Sequence, residues 1–186
     1  MRLAALLLLA ACSGAPQPAE SPPERVIERR LSDTPAPRGA ALLERAMLSG
    51  HNEARAALGL APLRWNAALA ADARRYADEL ARTGRFAHSP QPRGDPPQGE
   101  NLWTGTRGAY SYPEMIGHWV AERRFYRPLP VPDSSVSGRF GDVGHYSQIV
   151  WRATQEVGCA EARNRRDDYL VCRYLPAGNI VGETAY

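Results

Sequence analysis

The chain has no lysine. All 23 of its basic residues are arginine, and they stand against 20 acidic ones for a formal charge of +3. So small a surplus does not make the electrostatic footprint of a nucleic-acid-binding protein, and no nucleic-acid partner is expected. Arg123-Arg124 and Arg163-Arg165-Arg166 read as solvated helix and turn surface. Long apolar runs are also missing. The one beginning at Leu3 is far short of the roughly 20 residues a membrane-crossing helix needs, which excludes a retained span. Cysteine is scarce at three residues, so the fold does not rest on a dense disulfide framework. There is no internal repeat and no compact metal-ligand motif. No nucleophile is evident, because Ser147 lies two residues from His145 on one predicted helix and the two do not face each other.

What is there begins with a leader. Met1-Arg2 supplies a positive charge, Leu3 to Leu9 an apolar run, and Leu9-Ala10-Ala11 small residues before Cys12, the pattern of an export signal. The order Leu-Ala-Ala-Cys resembles the lipobox of bacterial lipoproteins, in which the cysteine becomes the acylated first residue. An ordinary secretory signal with a stray cysteine is the alternative. If Cys12 carries several acyl chains, burial at about 0.8 kcal/mol per methylene makes the membrane anchor effectively permanent. Ser13 after it would, by the same resemblance, direct the protein to an outer membrane. The expected organisation is a cleaved signal over 1–11, a Pro-rich disordered tether over 12–39 and one domain over 40–186. The location is extracytoplasmic, either lipid-anchored to the envelope or secreted.

Leu43, Met47, His51, Ala54 and Leu58 recur at helical spacing and predict a first helix closed by Gly59 and Pro62. His51 sits on its apolar stripe and reads as a hydrogen-bonded structural histidine. A second helix starts at Asn66, an N-cap residue, presents Leu69, Ala73, Tyr76 and Leu80 on one face, and ends at Gly84. Pro113 opens a third, with Ile116, Trp119 and Val120 on the buried side and Met115, His118 and Glu122 along an adjacent line. On spacing alone, Glu122 is a solvated glutamate or a carboxylate facing a cavity, and His118 is placed to pair with it. A short fourth helix begins near Gly144, with His145 in its first turn.

Val157 to Arg163 and Tyr169 to Tyr174 predict two antiparallel strands around the turn at Asn164 to Asp168. With Cys12 assigned to the lipid, Cys159 and Cys172 remain as a pair, and an even remainder in an exported chain reads as one disulfide. Strand pairing that sets one cysteine opposite the other brings them within bonding reach. The enclosed loop is short, so the bond is worth roughly 3 kcal/mol in the chain-entropy account.

Five ordered motifs carry a resemblance over Met47 to Tyr186. They are His51-Asn52-Glu53-Ala54-Arg55, Gly99-Glu100-Asn101-Leu102, Trp119-Val120-Ala121-Glu122, Gly144-His145-Tyr146-Ser147-Gln148-Ile149-Val150-Trp151, and Val171-Cys172-Arg173-Tyr174-Leu175-Pro176-Ala177-Gly178-Asn179. Together they resemble the CAP superfamily of cysteine-rich secretory proteins, insect venom antigens and plant pathogenesis-related class 1 proteins. The resemblance implies an α+β fold, a three-layer α-β-α sandwich with a small antiparallel sheet between helices, in which Gly99 to Leu102 form the family's central strand motif. It also implies a cleft lined by His88, Glu100, Glu122 and His145. In that cleft His88 and His145 are the expected ligands of a weakly or transiently bound Zn2+, not required for folding. A hydrogen-bond network of the same four residues with no ion is the competing reading. Plant members carry further cysteines near the second-helix end and before the Gly-His-Tyr motif, and this chain has none at Thr83 to Phe86 or Ser134 to Val143. The tail from Pro176 to Tyr186 resembles the plant C-terminal peptide linked to defence signalling, although Ala185 replaces the usual proline, and it is expected to be a packed terminal segment.

Three functions stay open at this level. The favoured one is a monomeric binding module with a metal-accepting cleft and, as the resemblance implies, a lipid or sterol ligand. The second is a metal-assisted hydrolase or peptidase in which Glu100 or Glu122 is the general base. The third is an envelope interaction protein with an envelope or host protein partner, exposing Trp103, Tyr110, Tyr112 and the Tyr126 to Ser137 loop.

Overall fold

The computed structural model describes Arg30, residues 34–90 and residues 97–186. The expected leader, with Cys12, and most of the expected tether lie outside the described residues. Arg30 and the residues from Thr34 onward meet the domain before Ala40. Arg30 pairs with Glu114, the Ala36 amide donates to the Gly108 carbonyl at 2.9 Å, and Arg38 reaches Asp168 at 2.6 Å. No helix among the described residues is long and apolar enough to cross a membrane.

Helix α1 spans Ala40–Ala56, and Gly59 just beyond it takes a left-handed backbone (φ 66°) that turns the chain. Strand β1 (Arg64–Trp65) leads into α2 (Ala67–Thr83). Asn66 caps α2 by accepting from the amides of Ala68 and Leu69, and Gly84 ends it in the left-handed region. Strand β2 covers Gly99–Thr106. Helix α3 (Tyr112–Ala121) opens on a reciprocal capping box between Ser111 and Glu114, with Pro113 inside the first turn. Glu122 falls past the end of α3, in a 3₁₀ turn over Glu122–Phe125. The six-residue α4 (Gly144–Ile149) precedes β3 (Glu156–Arg163) and β4 (Asp167–Leu175).

The four strands form one sheet in the order β1-β3-β4-β2, antiparallel except for the short parallel β1–β3 contact. The Gly99–Leu102 segment therefore opens an edge strand of this sheet, where the resemblance implied a central one. Alternation along each strand divides the core. On one face Leu102, Ala160, Ala162 and Val171 meet Ala73, Ala77 and Leu80 of α2. On the other, Trp103, Val157, Cys159, Cys172 and Tyr174 meet the aromatic and aliphatic side chains of α1, α3 and α4. Small residues let α2 lie close. A side chain at Gly158 would come within 2.3 Å of the Ala70 amide nitrogen, so that position needs glycine.

Cys159 and Cys172 are directly opposed in the β3–β4 ladder, with Cα atoms 4.1 Å apart, and form the expected disulfide. The C-terminal segment is packed, as expected: Ala185 is buried, its carbonyl accepts the Arg152 amide at 2.7 Å, and the Tyr186 ring stacks on Tyr126. Arg55, fully buried, ties α1 to the far end of the core by donating to the carbonyls of Ala61, Ile149, Trp151 and Thr154.

Candidate functional site

His88 lies in the segment that leaves α2 for β2. Tyr76 holds that segment by donating its hydroxyl to the Ala87 carbonyl at 2.5 Å. The His88 Nδ1 atom lies 2.6 Å from Glu100 Oε1, which also accepts the Ser89 amide at 3.0 Å. The other Glu100 oxygen faces Arg173 Nη2 at 2.9 Å, and Arg173 donates to Ser89 Oγ and lies over the Tyr76 ring. Glu100 and Arg173 are register partners across β2 and β4, which is why they share a face. The Glu100 and Arg173 side chains are 1% and 5% exposed, so this ion pair is internal, whereas His88 at 46% is open to solvent. Burial alone would raise the Glu100 carboxyl. The His88 hydrogen bond, the Arg173 charge and the Ser89 amide together outweigh it and hold the carboxyl below the ordinary glutamate value.

The second pair is His145 and Glu122, with Nδ1 to Oε1 at 2.5 Å. Glu122 Oε2 accepts the Tyr146 amide at 3.0 Å, so the carboxylate also satisfies a free donor in the first turn of α4. The imidazole stacks on Trp119, with ring centres 5.6 Å apart and planes 15° from parallel. Trp119 is itself fixed by donating to the Leu102 carbonyl at 3.3 Å.

A buried polar chain supports His145 from behind. Asn101 Nδ2 donates to the His145 carbonyl at 3.1 Å and to Tyr174 Oη at 3.0 Å. Tyr174 Oη lies 2.8 Å from His51 Nε2, and His51 Nδ1 lies 2.7 Å from the Met47 carbonyl. A carbonyl accepts only, so the His51 proton sits on Nδ1 and the tyrosine donates to Nε2. Burial lowers the His51 pKa to about 4, overriding the opposing Met47 bond, and the Arg55 charge lowers it further. His51 is the structural histidine the helical pattern indicated.

The four expected side chains therefore stand as two His–Glu pairs. Glu100 and Asn101 are consecutive on β2 and point to opposite faces of the sheet. Glu100 serves the pair on the α2 side, and Asn101 braces the pair on the other side. Among the described residues no group of three or more His, Cys, Asp or Glu side chains is placed to hold a metal. In each pair the carboxylate engages Nδ1, which leaves Nε2 as the nitrogen with a lone pair for a ligand or a proton.

Several expectations need correcting. His118 does not pair with Glu122: its Nδ1 accepts from Trp103 Nε1 at 2.9 Å, and its ring lies beside Trp103 and Tyr110. Met115 is wholly buried, because α3 packs a wider apolar face on α1 than the spacing indicated. Trp103, Tyr110 and Tyr112 form core, since the sheet and α3 enclose them, and so offer no exposed surface. Ser147 is fully buried, which closes it as a nucleophile. Arg173, Asn101 and Tyr174 were not singled out from the sequence, although all lie within the quoted motifs.

A three-layer sandwich carrying carboxylate-held histidines at one sheet edge defines the class of protein. The chain belongs to the cysteine-rich secretory protein family, whose CAP model matches residues 48–174. It is 37% identical over 140 residues to the "pathogenesis-related protein PR-1 type" of Sambucus nigra, an alignment covering 75% of this chain and 79% of that one. It is 36% identical over 140 residues to pathogenesis-related protein 1C of Nicotiana tabacum, covering 75% and 78%. Among solved structures it resembles NaASP2 crystallised with Zn2+, with TM-score 0.65, 23% identity and coverage of 81% of this chain and 89% of that one. It also resembles Schistosoma mansoni venom allergen-like protein 4, with TM-score 0.57, 24% identity and coverage of 79% and 90%. At these identities the structures establish the shared α+β fold.

Each imidazole, taken singly, is a donor suited to a borderline cation such as zinc. Imidazole suits that ion, and a carboxylate on Nδ1 raises the basicity of Nε2. Two imidazoles are fewer than the four ligands of a closed structural site, so any such ion would exchange with solvent.

Proposed function

We propose that this chain is an exported binding module, anchored to the cell envelope through acylated Cys12, in which His88 and His145 take a divalent ion such as zinc. The observation that supports it is the repeated arrangement of a carboxylate on imidazole Nδ1, at Glu100–His88 and Glu122–His145. It prepares two ligand nitrogens and supplies no nucleophile. A bound ion would add a Lewis-acidic point at the edge of the sheet where an anionic or carbonyl group of a lipid-type ligand can dock. The protein's own part is to orient the rings: Trp119 and Asn101 fix His145, and the Tyr76-pinned loop fixes His88.

General-base catalysis is less well supplied. Glu100 is tied to a buried arginine, which weakens it as a base, leaving Glu122 alone for that role. Zinc titration calorimetry on the mature protein tests the reading. Binding is expected at micromolar to millimolar zinc, lost in the His88→Ala/His145→Ala double variant. Undiminished binding in that variant, or none in the parent, sinks the metal assignment. Acylation of Cys12 is read separately, by mass spectrometry of the membrane-associated form and its Cys12→Ser variant.

A further inference from the structure

The net charge of +3 is small in sum and uneven in place. Arg107, Arg163, Arg165 and Arg166 are all exposed, and the sheet brings them to one end. Arg163 closes β3, Arg165 and Arg166 lie in the turn to β4, and Arg107 follows the last register pair of β2, Thr106 with Asp167. The turn is held in shape. Asn164 Oδ1 accepts the Arg166 and Asp167 amides at 2.8 and 2.9 Å, and the Asn164 amide donates to the Asp167 carbonyl at 3.0 Å. Arg107 braces it from β2, through its amide to the Arg166 carbonyl at 2.8 Å and through Nη1 to the Asn164 carbonyl at 3.3 Å. Little acid offsets these cations. Asp168 is fully buried and taken by Arg38, and Asp167 is half-buried with a partner of its own. Among the described residues, the one carboxylate within ion-pair reach of the four arginines is Glu161, 3.9 Å from Arg163.

The same end fastens the N-terminal segment. The Ala36 amide donates to the carbonyl of Gly108, the residue after Arg107, and Arg38 reaches Asp168 just beyond the turn. Arg30 pairs with Glu114 in the first turn of α3. Any anchor upstream of Arg30 therefore pulls on the end that carries the arginines. The histidine pairs belong to the other end, since Glu100 and Thr106 stand near opposite ends of β2, about 20 Å apart at the strand rise. The exposed apolar side chains Leu129, Ile180 and Val181 are also on that far side. Their two segments join at Val131 and Val181 and meet α4 through Asn179 and the Gly144 carbonyl.

We propose that this arginine end docks on an anionic membrane surface, with Arg107, Arg163, Arg165 and Arg166 meeting lipid phosphates and the histidine pairs facing away from the bilayer. Guanidinium suits the contact, because its planar fork meets two phosphate oxygens at once and stays charged at any pH an envelope meets. Basic residues near an anionic leaflet each add a modest attraction. A domain tied to that leaflet needs no more, because the tether keeps its local concentration high. The patch then sets orientation, while the acyl chains supply retention. The charge of this surface is independent of acylation and of zinc. The orientation of the anchored form rests on the Cys12 reading.

The test uses the mature chain carrying Cys12→Ser, so that no acyl chain contributes, and vesicles of phosphatidylcholine with or without about one third phosphatidylglycerol. Sedimentation should show binding to the anionic vesicles alone, lost as salt rises from about 0.1 to about 0.5 M. Arg107→Gln should weaken it about fivefold and Arg165→Gln/Arg166→Gln about 25-fold. Arg123→Gln/Arg124→Gln removes the same charge beside the Glu122–His145 pair, and should change binding by no more than about twofold. Leu129→Ser/Val181→Ser should leave it unchanged. The proposal is overturned by absent or lipid-independent binding, by equal losses in the two arginine pairs, or by loss in the Leu129/Val181 variant, which would seat the apolar end instead. It is also overturned if polyglutamate competes as well as vesicles charge for charge, which would make the patch a site for soluble polyanions. A failure here leaves acylation of Cys12 to its own mass-spectrometric test, and a chain found unacylated would still bind these vesicles.

Discussion

The two histidine pairs use the same contact in opposite settings, and the contrast separates what holds the fold from what meets solvent. His88–Glu100 has a buried carboxylate and an exposed ring, and the carboxylate is neutralised from inside the protein by Arg173. His145–Glu122 has no such arginine among the described residues. Its carboxylate and ring are both partly exposed, and a tryptophan face and a helix-start amide replace the ion pair. Glu100 is thus mainly a structural anion that also holds a ligand residue. Glu122 has its charge largely available to its histidine.

The largest effect should come from removing the internal cation. Arg173→Leu strands the Glu100 carboxylate in a site nearly closed to water, and breaking a buried pair from one side costs about 3–5 kcal/mol. Urea unfolding at neutral pH reads this, and a loss under about 1 kcal/mol would show that the pair is already hydrated. The Glu100 carboxyl is depressed in the native state. Its stabilising contribution is therefore complete above the ordinary glutamate value of 4.5 and disappears as pH falls through the native one. The variant should lose this acid-side slope.

Next in size is the effect of His51, which lies behind the other pair. Its native pKa is lowered from 6.5 to about 4, so below pH 6.5 the unfolded chain takes a proton that the native chain refuses. Stability is full above that pH and falls toward pH 4, by on the order of 3 kcal/mol if the whole shift is expressed. His51→Gln should flatten the curve in this window while lowering stability at pH 7. An unchanged slope would mean that the ring is hydrated in the native state.

The parts legible in the sequence were those with local causes. Asn66 and Gly84 bound α2 through their own backbone preferences, and the apolar spacing of α1 placed His51 on the inward stripe. The β3–β4 hairpin was legible for the same reason, since its turn is short and its register brings Cys159 to Cys172. Register between distant strands was not legible. Nothing near Glu100 in sequence announces Arg173, which the β2–β4 register alone brings opposite it. Glu122 was misplaced on α3 because helical spacing extends past the point where the backbone tightens into a 3₁₀ turn, and there the carboxylate turns to α4. The histidine motif residues became interpretable through resemblance, and their division into two pairs only through the alternation of Glu100 and Asn101 on one strand.

The smallest changes in stability should come from truncating the rings, and they sharpen the comparison most. His88→Ala removes a half-exposed partner while Glu100 keeps Arg173 and the Ser89 amide, so the cost should be a few tenths of a kcal/mol. His145→Ala gives up the Trp119 stack as well as the Glu122 bond, and should cost about 1 kcal/mol. The same two variants should rank differently in zinc calorimetry. Each removes one of two proposed ligands, so their affinities should fall by similar factors despite unequal stabilities. If His145→Ala alone weakens zinc, the ion belongs to the Glu122 pair, and His88 serves only as the outer cover of an internal Glu100–Arg173 bridge.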